Sequence, residues 1–411
     1  MSAMSEPAND NHTTIAERYV RLAHAFEAHV PGYIDGYFGP PEWAKVEPYP
    51  AEALRAGVNS FAEQVAALPD ESRRRFLAAQ ARAMGTTARL LCGEAVPYAE
   101  EVRGLYDVEP RKVDEAGFDA ALQALSDLLP GEGDLLQREL PLRARVEVSL
   151  DRLPRLAEVV LAELRRRTGE LFGLPDGERF DLELVRGKPW GGYNWPLGNL
   201  RSRIDINTDL PIYLTNLPGL LAHEGYPGHH TEHAWKEELL VRRAGRQEHA
   251  MMLLGAPECT VSEGIAESAL GVVMEEDELR AWLTGELAEL AGADPEAARL
   301  LQDIGRAKRA LSGVNGNAAL MLHGEGRGEG EVLDYLQHYG LRTRAQAEKN
   351  LEFIKHPLSR SYLFTYTAGA ALLKPLLEGK DRVQVFKRLL TGPVTPGEIR
   401  AWVTEHQAAQ A

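Results

Sequence analysis

Residues 220–233 read Leu-Leu-Ala-His-Glu-Gly-Tyr-Pro-Gly-His-His-Thr-Glu-His, and this stretch decides the fold and the chemistry predicted for the chain. It places four histidines and two glutamates within fourteen residues. A catalytic zinc ion takes imidazole nitrogens and carboxylate oxygens as three protein ligands and keeps a fourth position for water. In the His-Glu-x-x-His arrangement, two histidines one helical turn apart hold the metal and the adjacent glutamate accepts a proton from the water. The residue types therefore indicate a metal site.

The spacing of these histidines differs from that arrangement. The second histidine follows His223 by six or seven positions instead of four. On a continuous helix, six residues rise about 9 Å and rotate by about 240° beyond one full turn, so the two imidazoles would not face one ion. Pro227 lacks a helical N–H and would clash with the carbonyl group of His223, four residues earlier. The sequence therefore predicts an interruption at Pro227 and Gly228.

We expect a first helix that ends near Gly225, then a tight Pro-Gly turn. A second helix should follow over residues 227–242, with the proline as its first residue. The turn would bring His229 or His230 back beneath His223. The adjacent glutamate would then stand beside the metal as the base.

Two other interpretations remain open. His229 and His233 lie four residues apart on the second helix and form a chelating pair by themselves. That pair leaves His223 and Glu224 without a role, so it ranks lower. The interpretation without a metal is a polar surface loop between two helices. A Pro-Gly break followed by three histidines in five residues disfavours it.

A third ligand is expected from residues 260–268, Thr-Val-Ser-Glu-Gly-Ile-Ala-Glu-Ser, which have the pattern of a helix capped by Ser262. Glu263 and Glu267 lie on one face of that helix, where like charges four residues apart repel each other. A metal ligand at Glu263, with Glu267 accepting the ring N–H of a ligating histidine, would remove the repulsion. Glu258 is the alternative ligand, and a solvated acidic face is the alternative without a metal.

The rest of the chain is mostly helical in pattern. We expect a disordered lead over residues 1–13, an N-terminal helical subdomain over 14–172 and a catalytic, metal-binding subdomain over 173–411. Strand periodicity at 180–184 and at 201–207, on either side of a Gly- and Pro-rich segment interpreted as a turn, predicts a hairpin. The fold class is therefore mainly α, with a small antiparallel β-sheet at the active-site cleft. The helices predicted after the first one, which begins at Thr14, cover 51–68, 70–92, 111–129 and 133–171, the last with a break at Pro154.

Composition excludes several classes of partner. The formal net charge of −15 disfavours nucleic acid and anionic membrane surfaces, because their phosphates would be repelled. Cys92 and Cys259 are the two cysteines of a 411-residue chain, which is no disulfide framework and fits a reducing compartment. The polar, acidic start lacks the pattern of a signal peptide, and no apolar stretch has the length of a membrane helix. These patterns favour the cytoplasm.

The segments His-Glu-Gly-Tyr-Pro-Gly-His-His and Ser-Glu-Gly-Ile-Ala-Glu-Ser resemble a bacterial family catalogued as domain of unknown function 885. That family is similar in motif logic to helical zinc peptidases such as Taq-type carboxypeptidase, thimet oligopeptidase and angiotensin-converting enzyme. The resemblance extends over about residues 190–375. It is carried further by Asn199–Asn207, Leu322-His323 and Tyr366–Gly369. A helical zincin, or neurolysin-like, architecture is what the resemblance implies.

The resemblance also implies roles for individual residues. It implies a Zn²⁺ ion held by His223, His229 and Glu263, with Glu224 as the base. His230 is the alternative to His229 that the spacing leaves open. Relatives usually have Glu-Gly-Trp-Ala where this chain has Ile265 in place of the tryptophan, a difference that concerns the shape of the pocket.

Further groups are expected to contact the substrate. Tyr366 and His323, each in a helical segment with small neighbours, are candidate donors to an oxyanion. The strand 201–207 is expected to pair with an extended peptide, and Arg201 and Arg203 to bind a C-terminal carboxylate. The expected activity is zinc-dependent cleavage of short peptides, as a carboxypeptidase or an oligopeptidase. A metal-binding helical protein without catalysis and a zinc hydrolase of a non-peptide amide or ester are the alternatives.

Overall fold

Helices dominate the structure, a computed structural model that describes residues 14–188 and 190–410. The predicted disordered lead over residues 1–13 lies outside the described residues. The mainly α class is confirmed. The described α-helices are α1 (Ile15–Glu27), α2 (Ala51–Ala66), α3 (Glu71–Leu91), α4 (Tyr98–Tyr106), α5 (Glu115–Leu128), α6 (Leu135–Ala144), α7 (Leu153–Phe172), α8 (Leu217–Glu224), α9 (His229–Lys236), α10 (Pro257–Val273), α11 (Glu276–Thr284), α12 (Glu286–Ala291), α13 (Pro295–Lys308), α14 (Val314–Ala319), α15 (Glu329–His338), α16 (Arg344–Lys355), α17 (Ser359–Tyr362), α18 (Phe364–Leu377), α19 (Arg382–Thr391) and α20 (Pro396–Gln410).

The predicted helices of the N-terminal half match the structure closely, with two differences. The break in the long segment 133–171 lies earlier than the predicted Pro154, because residues 145–152 separate α6 from α7. Pro154 lies in the first turn of α7, where a proline's missing N–H costs no helical hydrogen bond. Helix α4 was not predicted. In the described part of the chain, no helix is both long and apolar enough to cross a membrane.

Two small sheets complete the fold. A two-stranded antiparallel sheet joins β1 to β5, and a three-stranded sheet has the order β2-β4-β3. The small antiparallel sheet of the predicted fold class is confirmed. The strands are β1 (Ile34–Tyr37), β2 (Arg179–Val185), β3 (Gly192–Gly198), β4 (Arg201–Asn207) and β5 (Met251–Leu253).

The sequence predicted that residues 180–184 and 201–207 form a hairpin. This prediction is wrong, because the corresponding strands β2 and β4 run parallel. The segment interpreted as a turn contains β3, which pairs antiparallel with β4. Asn199 and Leu200 connect these two strands, and both have φ of 57°. Positive φ at both central residues is the geometry that matches a two-residue turn to the twist of a hairpin. Aromatic residues within β3, such as Tyr193 and Trp195, favour a strand over a turn.

Buried side chains form three hydrophobic clusters, and each draws on both sides of the predicted boundary between residues 172 and 173. One combines α7 with α8, α10, α13 and α19. A second packs α4 against α14, α15 and α16. The third packs α1, α2 and α3 against β5. Packing therefore crosses the boundary throughout the described chain.

Helices α10 and α18 cross at two glycines. A Cβ atom added at Gly264 would lie 2.8 Å from the carbonyl carbon and oxygen of Gly369. One added at Gly369 would lie 2.4 Å from the carbonyl oxygen of Thr260. Real Cβ atoms do not approach backbone so closely, so any larger residue would force the helices apart. The short Glu-Gly and Tyr-Thr-Ala-Gly motifs of the sequence meet at this crossing.

Replacement of Gly264 by alanine is expected to lower the free energy of unfolding by about 1–3 kcal/mol, because the added methyl group overpacks the crossing. Urea unfolding of the full chain measures the change. Gly271→Ala is the matched control on α10, because its Cβ would enter open space. That control should be neutral or stabilising by up to about 1 kcal/mol. Equal stability of the two variants would contradict the close crossing.

Candidate metal centre

A tight turn between α8 and α9 brings two helix ends together. A Cβ atom at Gly228 would lie 2.0 Å from the carbonyl oxygen of His223, so only glycine fits there. Its N–H donates to the carbonyl oxygen of Ala222 at 2.9 Å. The predicted interruption of the helix is confirmed. The second helix begins at His229 and not at the predicted Pro227, and Gly228 is its N-cap residue.

The turn places the three predicted ligands around one point. The rings of His223 and His229 lie nearly perpendicular, with centroids 4.8 Å apart. From α10, Glu263 Oε2 lies 3.5 Å from His223 Nε2, and Glu263 Oε1 lies 3.9 Å from His229 Nε2. One ligand atom of each residue lies within 4.8 Å of the others. The structure therefore brings together His223, His229 and Glu263, which are distant or awkwardly spaced in sequence.

Hydrogen bonds orient His229 from behind. Its Nδ1 lies 3.1 Å from Ser262 Oγ, and that hydroxyl donates to Glu232 Oε2 at 2.6 Å. Because the hydroxyl proton is used on Glu232, Ser262 accepts from Nδ1–H, and the lone pair of Nε2 is left facing Glu263. The prediction that Ser262 caps α10 is wrong, since that helix begins at Pro257 and holds the serine inside it.

Of the two carboxylate oxygens of Glu263, one accepts a hydrogen bond in the described chain. The hydroxyl of Tyr362 donates to Oε1 at 2.5 Å, whereas Oε2 is buried and has no hydrogen-bond partner in the described chain. Glu267, one turn along, has Oε1 at 3.7 Å from Nδ1 of His223, the place predicted for it behind a ligating histidine. Glu258 accepts from the N–H of Leu253 and is outside the cluster, so it is not the third ligand.

His230 faces away from this cluster. It is 1% exposed, and both of its ring nitrogens are occupied, Nδ1 by Ser202 Oγ and Nε2 by Glu178 Oε2, each at 2.8 Å. Tyr226 donates to the same carboxylate oxygen at 2.7 Å. The alternative assignment of His230 as a metal ligand is therefore wrong. Successive helical residues differ by about 100° in direction, which separates the roles of the two adjacent histidines.

The alternative pair on α9 also has suitable geometry. His229, Glu232 and His233 have ligand atoms within 4.8 Å of one another. The carboxylate of Glu232, however, already accepts from Lys236 Nζ at 2.5 Å and from Ser262. The cluster that includes Glu263 has a buried oxygen without a donor, so it is the better candidate for a cation.

Glu224, the predicted base, lies at the end of α8 and is 6% exposed. A Cβ atom at Gly192 of β3 would lie 3.0 Å from its Oε1, so the strand's backbone passes directly beside the carboxylate. Burial, with smaller contributions from the charges of Asp35 and Glu267, raises the pKa of Glu224 to about 8. Burial and the neighbouring His229 lower the pKa of His223 to about 3, which keeps its imidazole neutral.

These groups open onto a cavity of about 300 Å³. Tyr366 lines it, with its ring centroid 5.5 Å from that of Tyr362. Burial, followed by the charges of Glu263 and Glu224, raises the pKa of Tyr366 well above its ordinary value, so its phenol keeps its proton. The structure places Tyr366 on the cavity wall, and its role as an oxyanion donor stays a prediction.

Three predicted residues lie elsewhere. His323 bonds the carbonyl oxygen of Ile354 through Nε2 at 2.8 Å and does not line the cavity, so its assignment as an oxyanion donor is wrong. Arg201 pairs with Asp181 on the neighbouring strand, and Arg203 lies over the ring of Trp195. Neither arginine lines the cavity, and β4 is the central strand of its sheet. The expected pairing of a peptide with residues 201–207 is therefore wrong as well.

Sequence reasoning missed several residues of the site. Tyr362 lies one helical turn before Tyr366, a spacing that signals a shared face. Glu178 and Asp35 carry no such signal, because each comes from a part of the chain distant from the histidines. Their roles follow from tertiary packing alone.

Comparisons with known proteins show a similar fold but indicate no activity. No family model matches the chain, and no curated protein matches it. Among solved structures it is similar to a putative lipoprotein from Colwellia psychrerythraea, with a TM-score of 0.50 and 15% identity over 88% of this chain and 68% of that one. A putative lipoprotein of unknown function from Shewanella oneidensis has a TM-score of 0.43 and 13% identity over 86% and 72%. The first likeness concerns the fold alone, and the resemblance to the domain of unknown function stays a prediction.

The structural role assigned to His230 predicts a pH-dependent stability at Glu178. Burial alone would raise the pKa of Glu178, but hydrogen bonds from His230 and Tyr226 outweigh it and hold the pKa below its ordinary value. The carboxylate therefore stabilises the fold above about pH 4.3, and the contribution is lost as the pH falls through the lower folded pKa. Glu178→Gln should cost about 1.5–3 kcal/mol at pH 7 and less at pH 3.

Urea unfolding at the two pH values measures this difference. Glu170→Gln is the control, because Glu170 is exposed and pairs only with Arg166 within its own helix. A change within about 0.5 kcal/mol is expected for it. An equal loss for Glu178→Gln at both pH values would contradict the charge-dependent role.

Proposed function

We propose that this chain is a zinc-dependent hydrolase that cleaves peptide bonds of short peptides. The observation that carries the proposal is the convergence of His223, His229 and Glu263, with an unpartnered buried oxygen on the glutamate. Glu224 lies next to the first histidine in sequence and lines the same cavity. A buried acceptor without a donor is costly unless something cationic or protic meets it.

The donor set fits a zinc ion. Bonds of about 2.0–2.1 Å in a tetrahedron separate neighbouring ligand atoms by about 3.3–3.5 Å. The separation of His223 Nε2 from Glu263 Oε2 is 3.5 Å, and that of His229 Nε2 from Glu263 Oε1 is 3.9 Å. Small rotations of the side chains would close the difference. Two imidazoles and one carboxylate favour zinc over harder divalent ions.

The residues around the metal position have complementary roles in hydrolysis. Zinc bound by these ligands would supply Lewis-acid chemistry, which activates water and polarises a carbonyl group. The carboxylate of Glu224 accepts a proton at the cavity wall, and its raised pKa suits a base that later returns the proton to a leaving amine. Tyr366 keeps its phenolic proton and donates a hydrogen bond to the developing oxyanion.

An extended substrate would align along β3. This strand is at the edge of its sheet, and Gly192, Tyr193 and Asn194 line the cavity. A peptide that adds to a sheet edge gains main-chain hydrogen bonds independent of its side chains. Short peptides are the proposed substrates because the cavity is small, and the cytoplasm is the proposed location.

Glu224→Gln is expected to abolish hydrolysis, with at least a 100-fold loss, while zinc stays bound, because the amide cannot accept the proton. A peptide library digested by the zinc-loaded chain, read by mass spectrometry with and without chelator, measures the activity. Elemental analysis measures the zinc. Glu183→Gln, an exposed change on β2, is the control and should cleave as the wild type does.

The pattern of products identifies the reaction type, since removal of single C-terminal residues indicates a carboxypeptidase and internal cuts an oligopeptidase. Stoichiometric zinc without turnover of any peptide would favour a metal-binding protein without peptidase activity. Absence of zinc binding would overturn the proposal.

Ser262→Ala is expected to weaken zinc binding about 10- to 100-fold, because His229 loses the hydroxyl that fixes its ring. Competition with a fluorescent zinc chelator measures the affinity. The exposed Ser149, which lies outside the cavity, provides the Ser→Ala control and should leave the affinity unchanged. Wild-type affinity in Ser262→Ala would contradict the orienting role of the serine.

A further inference from the structure

The charged side chains that line the cavity determine whether it favours the carboxylate or the ammonium end of a peptide. Among its described lining residues, Lys236 is the single lysine or arginine, and it is paired with Glu232 at 2.5 Å. The lining histidine His249 is buried, and burial lowers its pKa well below the ordinary value, so it is neutral at pH 7. A substrate carboxylate would therefore find no unpaired cation on these walls other than the metal.

Three acidic side chains of the cavity lack a cation in the described chain: Asp35, Glu224 and Glu258. Asp35 makes no ion pair in the described chain, and its carboxylate accepts a hydrogen bond from the hydroxyl of Tyr193. The metal would be balanced by Glu263, and Glu232 by Lys236. Glu258 accepts from the backbone N–H of Leu253. Glu224 is the proposed base, so Asp35 is the remaining acidic side chain of the cavity whose charge is available to an external cation.

The backbone aims Asp35 into the cavity. In the pairing of β1 with β5, Ile34 faces Leu253 and Gly36 faces Met252, so Asp35 is an extra residue, a β-bulge. Bulges leave one residue outside the ladder and turn its side chain away from the regular alternation. Asp35 lines the same cavity as Glu224.

An acceptor without a donor lies in the same cavity. Asn194 on β3 is 6% exposed, and its Nδ2 donates to the carbonyl oxygen of Glu224 at 2.7 Å. That bond fixes the amide, and its Oδ1 is buried without a partner in the described chain. An ammonium group carries several N–H donors and a positive charge, which complements an unpaired carboxylate and an unpartnered amide oxygen.

We propose that Asp35 binds a primary ammonium group of the substrate beside the scissile bond. The inference rests on the proposed peptidase function and narrows it to peptides whose reacting end carries an alkylammonium. The α-amino group of a free N-terminus and the side chain of a lysine share this chemistry. Cleavage near a free N-terminus is then favoured over removal of a C-terminal residue, whose carboxylate this cavity does not complement.

Binding to a catalytically silent chain tests the proposal independently of turnover. Zinc-loaded Glu224→Gln protein is titrated at pH 7 by calorimetry with three amidated peptides: Ala-Leu-Ala, N-acetyl-Ala-Leu-Ala and N-acetyl-Lys-Leu-Ala. We expect at least one ammonium peptide to bind about tenfold more tightly than N-acetyl-Ala-Leu-Ala, the value of one favourable charge pair. The peptide that shows the preference identifies which ammonium is recognised.

Three further variants in the same background assign the preference to Asp35. Asp35→Asn should reduce it to less than twofold. Asp181→Asn, an exposed change on β2 outside the cavity, should leave it at tenfold. Tyr193→Phe removes the hydrogen bond but keeps the carboxylate. Because Tyr193 lies on the strand proposed to align the substrate, all three affinities should fall in this variant, while their ratio still favours the ammonium peptide. Far-UV circular dichroism verifies that each variant is folded.

Equal binding of all three peptides, binding of none of them, or an undiminished preference in folded Asp35→Asn would overturn the proposal. Its failure is separable from failure of the peptidase function. An Asp35-dependent preference without hydrolysis by wild-type protein would sink the peptidase function alone. Hydrolysis by wild-type protein without a preference would sink the role of Asp35 alone.

Discussion

The backbone of Gly228 lies against the carbonyl oxygens of Ala222 and His223, with no room for a Cβ atom between them. Because of this contact, α9 starts directly beside the end of α8, and the imidazoles of His223 and His229 meet at a centroid distance of 4.8 Å. A longer or looser connection would let the two helix ends separate. The candidate centre thus depends on a steric condition that one glycine satisfies.

A second glycine contact acts on the carboxylate side of the centre. Gly264 follows Glu263 directly and lies against Gly369 of α18, so the two helices approach to backbone contact. That approach brings Tyr362 within 2.5 Å of the Glu263 carboxylate and places Tyr366 at the cavity. The two contacts are independent in the chain, and together they position all three candidate ligands.

The adjacent histidines of α9, His229 and His230, have different roles: one lines the cavity and the other holds the helix in place. His229 faces the cavity, while His230 is buried between Ser202 and Glu178. The buried side of α9 contacts the three-stranded sheet, and β3 of that sheet passes beside Glu224, the proposed base. A site built between fixed helices and a sheet edge loses little entropy when its ligands come together. Rigid support of this kind suits a metal centre.

The sequence by itself determined the local features: the helical class, the break at Pro-Gly and the residue types of the candidate ligands, since periodicity, proline chemistry and metal preference act over a few residues. Only the tertiary structure chose His229 over His230 and brought Asp35 to the cavity. In the tertiary structure, His323, Arg201 and Arg203 lie outside the cavity, and β2 runs parallel to β4. These outcomes depend on which faces pack together and on side chains far apart in the chain, and no local pattern encodes that pairing.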